Sequence, residues 1–244
     1  MGVPTVGCDC AVCHSSDPRD RRTRPSILIE YNGCVVLIDT TPDFREQALR
    51  ERIRRLDAVL YTHTHADHIL GIDDLRPLSY LHKPAKLPLY AKPEAADFLR
   101  TMFSYIFEAK YKFGGLPQVE LRSMAGPIDL FGATFTPVTI IHGEARIYGF
   151  RFGSAAYLTD HSDIPEESYS LLQGLDILFL DALRHKPHPT HSTVEQSLAI
   201  VERVKPQRAF FTHICHELPH EETNALLPAN VRLSFDGMKL DFEI

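Results

Sequence analysis

Four residues able to bind a metal ion fall within six positions in His63-Thr64-His65-Ala66-Asp67-His68. Imidazole and carboxylate donors suit Zn²⁺, Mn²⁺ or Fe. The apolar run at 58–62 just before them reads as a buried strand. On an extended stretch His63 and His65 project to the same side, while Asp67 and His68 lie where the chain turns into a helix, so two adjacent clusters of ligands result. A structural zinc would close four ligands around one ion and favour thiolates. This histidine-rich group can leave coordination positions open, as catalysis requires.

A second concentration lies at the N-terminus, where Cys8, Cys10 and Cys13 fall within six residues. Five cysteines are an odd number, and no secretory signal precedes them, so the thiols predict a metal site rather than a disulfide framework. Cys10-Ala-Val-Cys13-His14 also satisfies the C-x-x-C-H pattern of haem attachment. That chemistry belongs to exported proteins and leaves Cys8 without a role.

The elements that must position these groups alternate. Strands are predicted at 26–31 and 34–39, joined across Asn32-Gly33, a favoured hairpin turn. A helix follows from 42 to about 55, then the strand at 58–62, a helix at 69–81, a strand at 87–91 and a long helix from 93 to about 113. In that helix Phe98, Met102, Ile106 and Lys110 follow helical spacing, and Phe103, Phe107, Tyr111 and Phe113 broaden the apolar face, which predicts core packing, with a lid or dimer surface as the alternative. Further strands are predicted at 128–130, 134–140, 147–152, 155–158, 177–180, 209–212 and 238–244, with helices at 166–173 and 193–204. Strands interleaved with helices in two runs fit an α/β fold of four layers, αββα, in one domain spanning 1–244 with an N-terminal loop at about 1–25.

His63-x-His65-x-Asp67-His68 resembles the signature of the metallo-β-lactamase superfamily, whose fold is an αββα sandwich. The resemblance spans nearly the whole chain. It implies further ligands at strand ends, and His142, Asp160 and His213 occur there in matching order. By this resemblance His63, His65 and His142 hold one divalent ion (Zn²⁺ or Mn²⁺), Asp67, His68 and His213 hold a second, and Asp160 bridges them. Asp67 would also orient the attacking water.

Gly2-Val3-Pro4 followed by Cys8-x-Cys10-x₂-Cys13 is similar to the opening of the branch containing phosphonate-pathway phosphoribosyl cyclic phosphodiesterases. That resemblance implies a structural Zn²⁺ held by Cys8, Cys10, Cys13 and His216, with Cys215 and His14 as weaker candidates. It also places His191 beside the substrate as a general acid, able to protonate a leaving alkoxide. His161, His185 and His188 receive no role, and His82 and His220 are expected on helix surfaces. Relatives in this branch begin with a strand and a Gly-rich turn before Gly-Val-Pro. This chain starts at Met1-Gly2, so an exposed sheet edge is expected.

The expected activity is metal-assisted hydrolysis of a small cyclic phosphodiester, with 5-phosphoribosyl 1,2-cyclic phosphate implied by the resemblance. A net charge of −6 over 244 residues disfavours nucleic acid, although Arg50, Arg52, Arg54 and Arg55 form a local basic cluster. A tRNA 3′-processing endonuclease would need a basic arm to hold RNA. Lactam hydrolases are exported, and pyrroloquinoline-quinone biosynthesis relatives with a similar opening have a degenerate histidine motif. No apolar run is long enough to cross a bilayer, so a cytoplasmic protein is expected, with a homodimer as a further expectation.

Overall fold

The computed structural model describes residues 2–82, 84–108 and 115–244. The chain divides into two compact units, Arg24–Gly132 and a second made of Met1–Thr23 with Ala133–Ile244.

In the first unit β1 (Ile27–Tyr31) and β2 (Cys34–Ile38) form the expected hairpin. Asn32 and Gly33 both take positive φ, 48° and 72°, as a two-residue turn of this hand requires. Three further strands, β3 (Ala58–Leu60), β4 (Leu87–Ala91) and β5 (Val119–Ser123), extend the sheet in parallel, in the order β1-β2-β3-β4-β5. Every residue of β3 is buried, as its apolar run without alternation predicts. Val119 and Leu121 of β5 alternate with polar residues, a period-2 signal that sequence reading passed over. A short β6 (Ile128–Leu130) closes this unit.

Its helices are shorter than predicted. Helix α1 (Phe44–Arg50) ends five residues early, because Arg52 turns left-handed (φ 56°) and the Ile53 N–H reaches back to the Ala48 carbonyl. The helix expected at 69–81 is a series of short pieces: α2 (Ala66–Ile69), a 3₁₀ turn at Ile72–Leu75, α3 (Arg76–Ser79) and a 3₁₀ turn at Tyr80–His82. Gly71 separates the first two pieces. A Cβ there would lie 2.1 Å from the Thr41 carbonyl oxygen, so only glycine allows the backbones to approach this closely. The long helix splits into α4 (Pro93–Met102) and α5 (Ser104–Phe107). Its inward stripe is Ala96, Leu99, Phe103 and Ile106, while Phe98 and Met102 are exposed. Lys110, Tyr111 and Phe113 lie outside the described residues.

The second unit carries β7 (Ala133–His142), β8 (Ala145–Phe152), β9 (Ala155–Leu158), β10 (Ile177–Asp181), β11 (Arg208–Thr212) and β12 (Val231–Leu233), in the order β12-β11-β10-β9-β8-β7. Strands β7 to β9 pair antiparallel and β9 to β12 parallel. Helix α6 (Val194–Val204) starts at a capping box, in which Thr193 and Gln196 each bond the other's backbone N–H. A 3₁₀ helix at Glu166–Leu172 replaces the α-helix expected there. The strand expected at 238–244 does not form. The Ser154 N–H instead donates to the Glu243 carbonyl, 2.7 Å away.

His82 is half-buried, with its Nε2 on the Leu56 carbonyl, and His220, at the start of α7 (His220–Leu226), is only 3% exposed. Both depart from the expected surface positions. His220 turns inward because its N–H donates to the buried Asp20 carboxylate.

Asp20 also anchors the N-terminal segment. Arg22, equally buried, pairs with Asp20 at 3.0 Å and donates to the carbonyls of Cys215 (3.0 Å) and Leu218 (2.7 Å). Removing one partner of such a pair leaves an uncompensated buried charge. Arg22→Ala should therefore cost about 3–5 kcal/mol in chemical denaturation. A loss below 1 kcal/mol would contradict this account.

Candidate metal centre

The ligands expected from the sequence fall into two groups, one in each unit. In the first unit all four follow β3. His63 and His68 are buried, Asp67 is half-buried and His65 is exposed. The His63 ring lies 4.7 Å from the His65 ring and 4.3 Å from the His68 ring, measured between centroids. Asp39, one residue beyond the end of β2 and fully buried, organises this group. Its carboxylate accepts from the Thr62 N–H at 2.8 Å, from the Thr62 hydroxyl at 2.7 Å and from His68 Nδ1 at 2.7 Å. Burial pushes the Asp39 carboxyl above its ordinary pKa, and His68 opposes that shift.

These contacts assign protons. His68 Nδ1 donates to Asp39, which places the lone pair on Nε2. The Thr62 hydroxyl spends its proton on Asp39, so it accepts from His63 Nδ1 at 3.0 Å, and the His63 lone pair likewise sits on Nε2. A metal-ligating histidine needs this kind of anchored second nitrogen.

In the second unit His142 ends β7 and donates Nδ1–H to the Thr190 carbonyl at 2.7 Å, again leaving the lone pair on Nε2. Asp160 and His213 stand two residues beyond β9 and one beyond β11. Asp160 accepts from the Thr159 hydroxyl at 2.6 Å, and its other oxygen lies 3.3 Å from His213 Nε2. Asp39, Asp160 and His213 share a left-handed backbone, with φ of 66°, 58° and 52°.

His191 joins this second group. Its ring stacks on His213 at 4.6 Å and lies 4.8 Å from the His142 ring. Asp160, His191 and His213 can offer ligand atoms within 4.8 Å of one another, so geometry alone lets His191 either bind a metal or work beside one. Its Nδ1 bonds Asp181 Oδ2 at 2.6 Å. Asp181 is fully buried at the end of β10, and burial pushes its carboxyl well above the ordinary range, so the pair is built to share a proton. His161 is also fully buried and its pKa falls to about 3, chiefly by desolvation, which keeps it neutral. His188 lies 5.0 Å from the His191 ring, and His185 pairs with Glu195 on the surface.

Cys8, Cys10, Cys13 and His216 come together entirely within the second unit. Their sulfurs lie 3.1, 3.4 and 3.6 Å from His216 Nδ1. Around a tetrahedral zinc, ordinary Zn–S and Zn–N bonds set an S···N edge of roughly 3.6 Å, so three thiols and one imidazole at this spacing fit the ion. The Cys13 N–H lowers the Cys10 thiol to about 6, toward the thiolate a metal binds. His14, paired with Asp9 on the surface, and Cys215, whose sulfur accepts the Glu217 N–H, serve elsewhere. Cys10 and Cys13 belong to the His216 quartet, which leaves C-x-x-C-H without haem chemistry.

Sequence reading missed Asp39 and Asp181. Each ends an apolar run at a strand terminus, Val-Val-Leu-Ile-Asp and Ile-Leu-Phe-Leu-Asp, and that signal could have found them. Asp39→Asn should lower affinity for Zn²⁺ at the histidine sites 10- to 100-fold, read by competition with a chromophoric chelator, while the cysteine site keeps its ion. Unchanged affinity would remove Asp39 from the account.

The chain resembles known proteins over most of its length. Residues 35–214 match the family model for the Beta-lactamase superfamily domain. The crystal structure of a diphosphatase from the PhnP family shares 60% identity, covers 100% of this chain and 94% of that one, and superposes with a TM-score of 0.94. An octanoyltransferase from Porphyromonas gingivalis is 39% identical over 243 residues, 98% of this chain and 49% of its own length. A ribonuclease Z from Bradyrhizobium diazoefficiens is 31% identical over 148 residues, 58% of this chain and 48% of that protein. The chain thus spans about half the length of the curated relatives it matches.

Proposed function

Because the chain belongs to the metallo-β-lactamase superfamily, in its PhnP-like branch, we propose that it is a metal-dependent hydrolase of a phosphoryl linkage in a small molecule. The observation that carries this reading is the set of histidines whose Nδ1 protons are spent on Asp39, Thr62 and Thr190, so that each presents Nε2 to an ion. Following the superfamily pattern, His63, His65 and His142 would hold one divalent cation, Asp67, His68 and His213 the second, and Asp160 both. Bound there, such a pair lowers the pKa of an attacking water and neutralises charge on the phosphoryl oxygens. The cysteine quartet would hold a structural Zn²⁺.

The protein's own groups do the rest. Asp67 orients the attacking water by accepting its hydrogen bond. His191 donates a proton to the departing oxygen through Nε2, and Asp181 holds the ring by Nδ1 and stabilises the imidazolium. The 60%-identical diphosphatase supports a diphosphate linkage as the target. A strained cyclic ester such as 5-phosphoribosyl 1,2-cyclic phosphate is the second reading, supported by the Gly-Val-Pro opening with its three cysteines. The ribonuclease Z relatives match a smaller part of the chain, which gives RNA cleavage less support.

The test is turnover of ADP-ribose, 2′,3′-cyclic AMP and bis(p-nitrophenyl) phosphate by protein loaded with Zn²⁺ or Mn²⁺. His65→Ala and Asp160→Ala should each abolish all activity, and no turnover in the parent with either metal would sink the proposal. His191→Ala and Asp181→Asn should slow the alkoxide- or phosphate-releasing substrates, His191→Ala by about 10²- to 10⁴-fold. Both should barely affect the p-nitrophenyl ester, whose leaving group departs without a proton. Equal losses on all three substrates would instead make His191 a metal ligand.

A further inference from the structure

Away from these groups the second unit has a cleft of about 310 Å³, at the edge of its sheet where α7 and β12 meet the N-terminal segment. Its walls are aromatic. Phe210 of β11 is nearly buried and packs on Phe179 at 5.7 Å, while Phe235 is 39% exposed and meets the His220 ring edge-on at 5.8 Å. An exposed phenyl backed by a second ring offers a flat stacking surface.

Polar atoms are sparse and specific. His220 lines the cleft and is only 3% exposed, yet its Nδ1 has no hydrogen-bond partner among the described residues. Burial and the neighbouring Arg19 and Arg22 lower its pKa, so the imidazole is neutral and can accept or donate one bond. A buried polar atom left unsatisfied is costly, and a bound group would relieve that cost. Arg19 closes its charge on Asp17 and Glu221, at 2.7 and 2.8 Å. Arg232 differs, because its Nη1 donates to the Pro228 and Val231 carbonyls and no carboxylate pairs with it among the described residues. Arg232 is therefore the rim cation left for an incoming anion, while Arg19 is already held by two carboxylates.

We propose that this cleft binds a planar heteroaromatic ring bearing a single anionic group, with the ring against Phe235, a ring nitrogen on His220 Nδ1 and the anion on Arg232. The volume sits at the low end for small-molecule sites, about 300–1,000 Å³, which suits one ring system with one substituent. The proposal is independent of the hydrolytic reading, since none of these residues belongs to the histidine groups or the cysteine quartet.

Calorimetric titration of the zinc-loaded 244-residue chain with AMP tests it, in a His65→Ala background that disables the hydrolytic site. AMP should bind one-to-one. Adenosine should bind about tenfold more weakly, and inorganic phosphate not measurably. Arg232→Gln should erase the difference between AMP and adenosine, and Phe235→Ala should weaken both about tenfold, with an unchanged circular dichroism spectrum in each. The proposal is overturned if AMP does not bind, if phosphate binds as tightly as AMP, or if either variant leaves AMP affinity unaltered.

Discussion

An imidazole can hold a cation only through a nitrogen that has surrendered its proton, and where that proton goes decides which nitrogen faces the ion. Most of the polar architecture follows from this constraint. Asp39 accepts the His68 Nδ1–H, the Thr62 hydroxyl accepts the His63 Nδ1–H because its own O–H donates to Asp39, and the Thr190 carbonyl accepts that of His142. Each acceptor sits just beyond a strand or in a loop tied to one, so the sheets hold ring orientation as well as ring position. Reversing any tautomer would point an N–H where an ion would need a lone pair.

Much of this was legible in the sequence. The His63 to His68 motif needs only the period of an extended chain to show its two clusters, and Asn32-Gly33 carries its turn geometry in its residue types. The partners were harder to read, because Asp39 and Asp181 are ordinary residues in sequence and become distinctive only once burial brings them to His68 and His191. Helix lengths were overestimated for a related reason. Propensity runs through residues 69–81, but contact with the Thr41 backbone breaks the helix at Gly71, and no local window contains that contact. His220 was misplaced in the same way, since its burial depends on Asp20, two hundred residues earlier.

Neighbouring histidines are given different hydrogen-bond partners. The His142 and His191 ring centroids are 4.8 Å apart, but one ring donates its Nδ1–H to a neutral carbonyl and the other faces a buried carboxyl. A carbonyl fixes a neutral tautomer suited to ligation. A carboxyl can share or stabilise an added proton, which suits transfer to a leaving group. One hydrogen bond thus sets the protonation behaviour of each ring, and it is on this difference that the proposed division into ligand and acid rests.

The left-handed backbone at Asp39, Asp160 and His213 carries a consequence for how this chain can change over time. An L-residue in that region costs roughly 1–2 kcal/mol, and glycine would relax the cost at each position. Every such relaxation would discard a carboxylate or an imidazole. At these three corners an unstrained backbone and a polar side chain exclude each other, so a glycine would trade conformational ease for the loss of a candidate ligand or of the carboxylate that orients one.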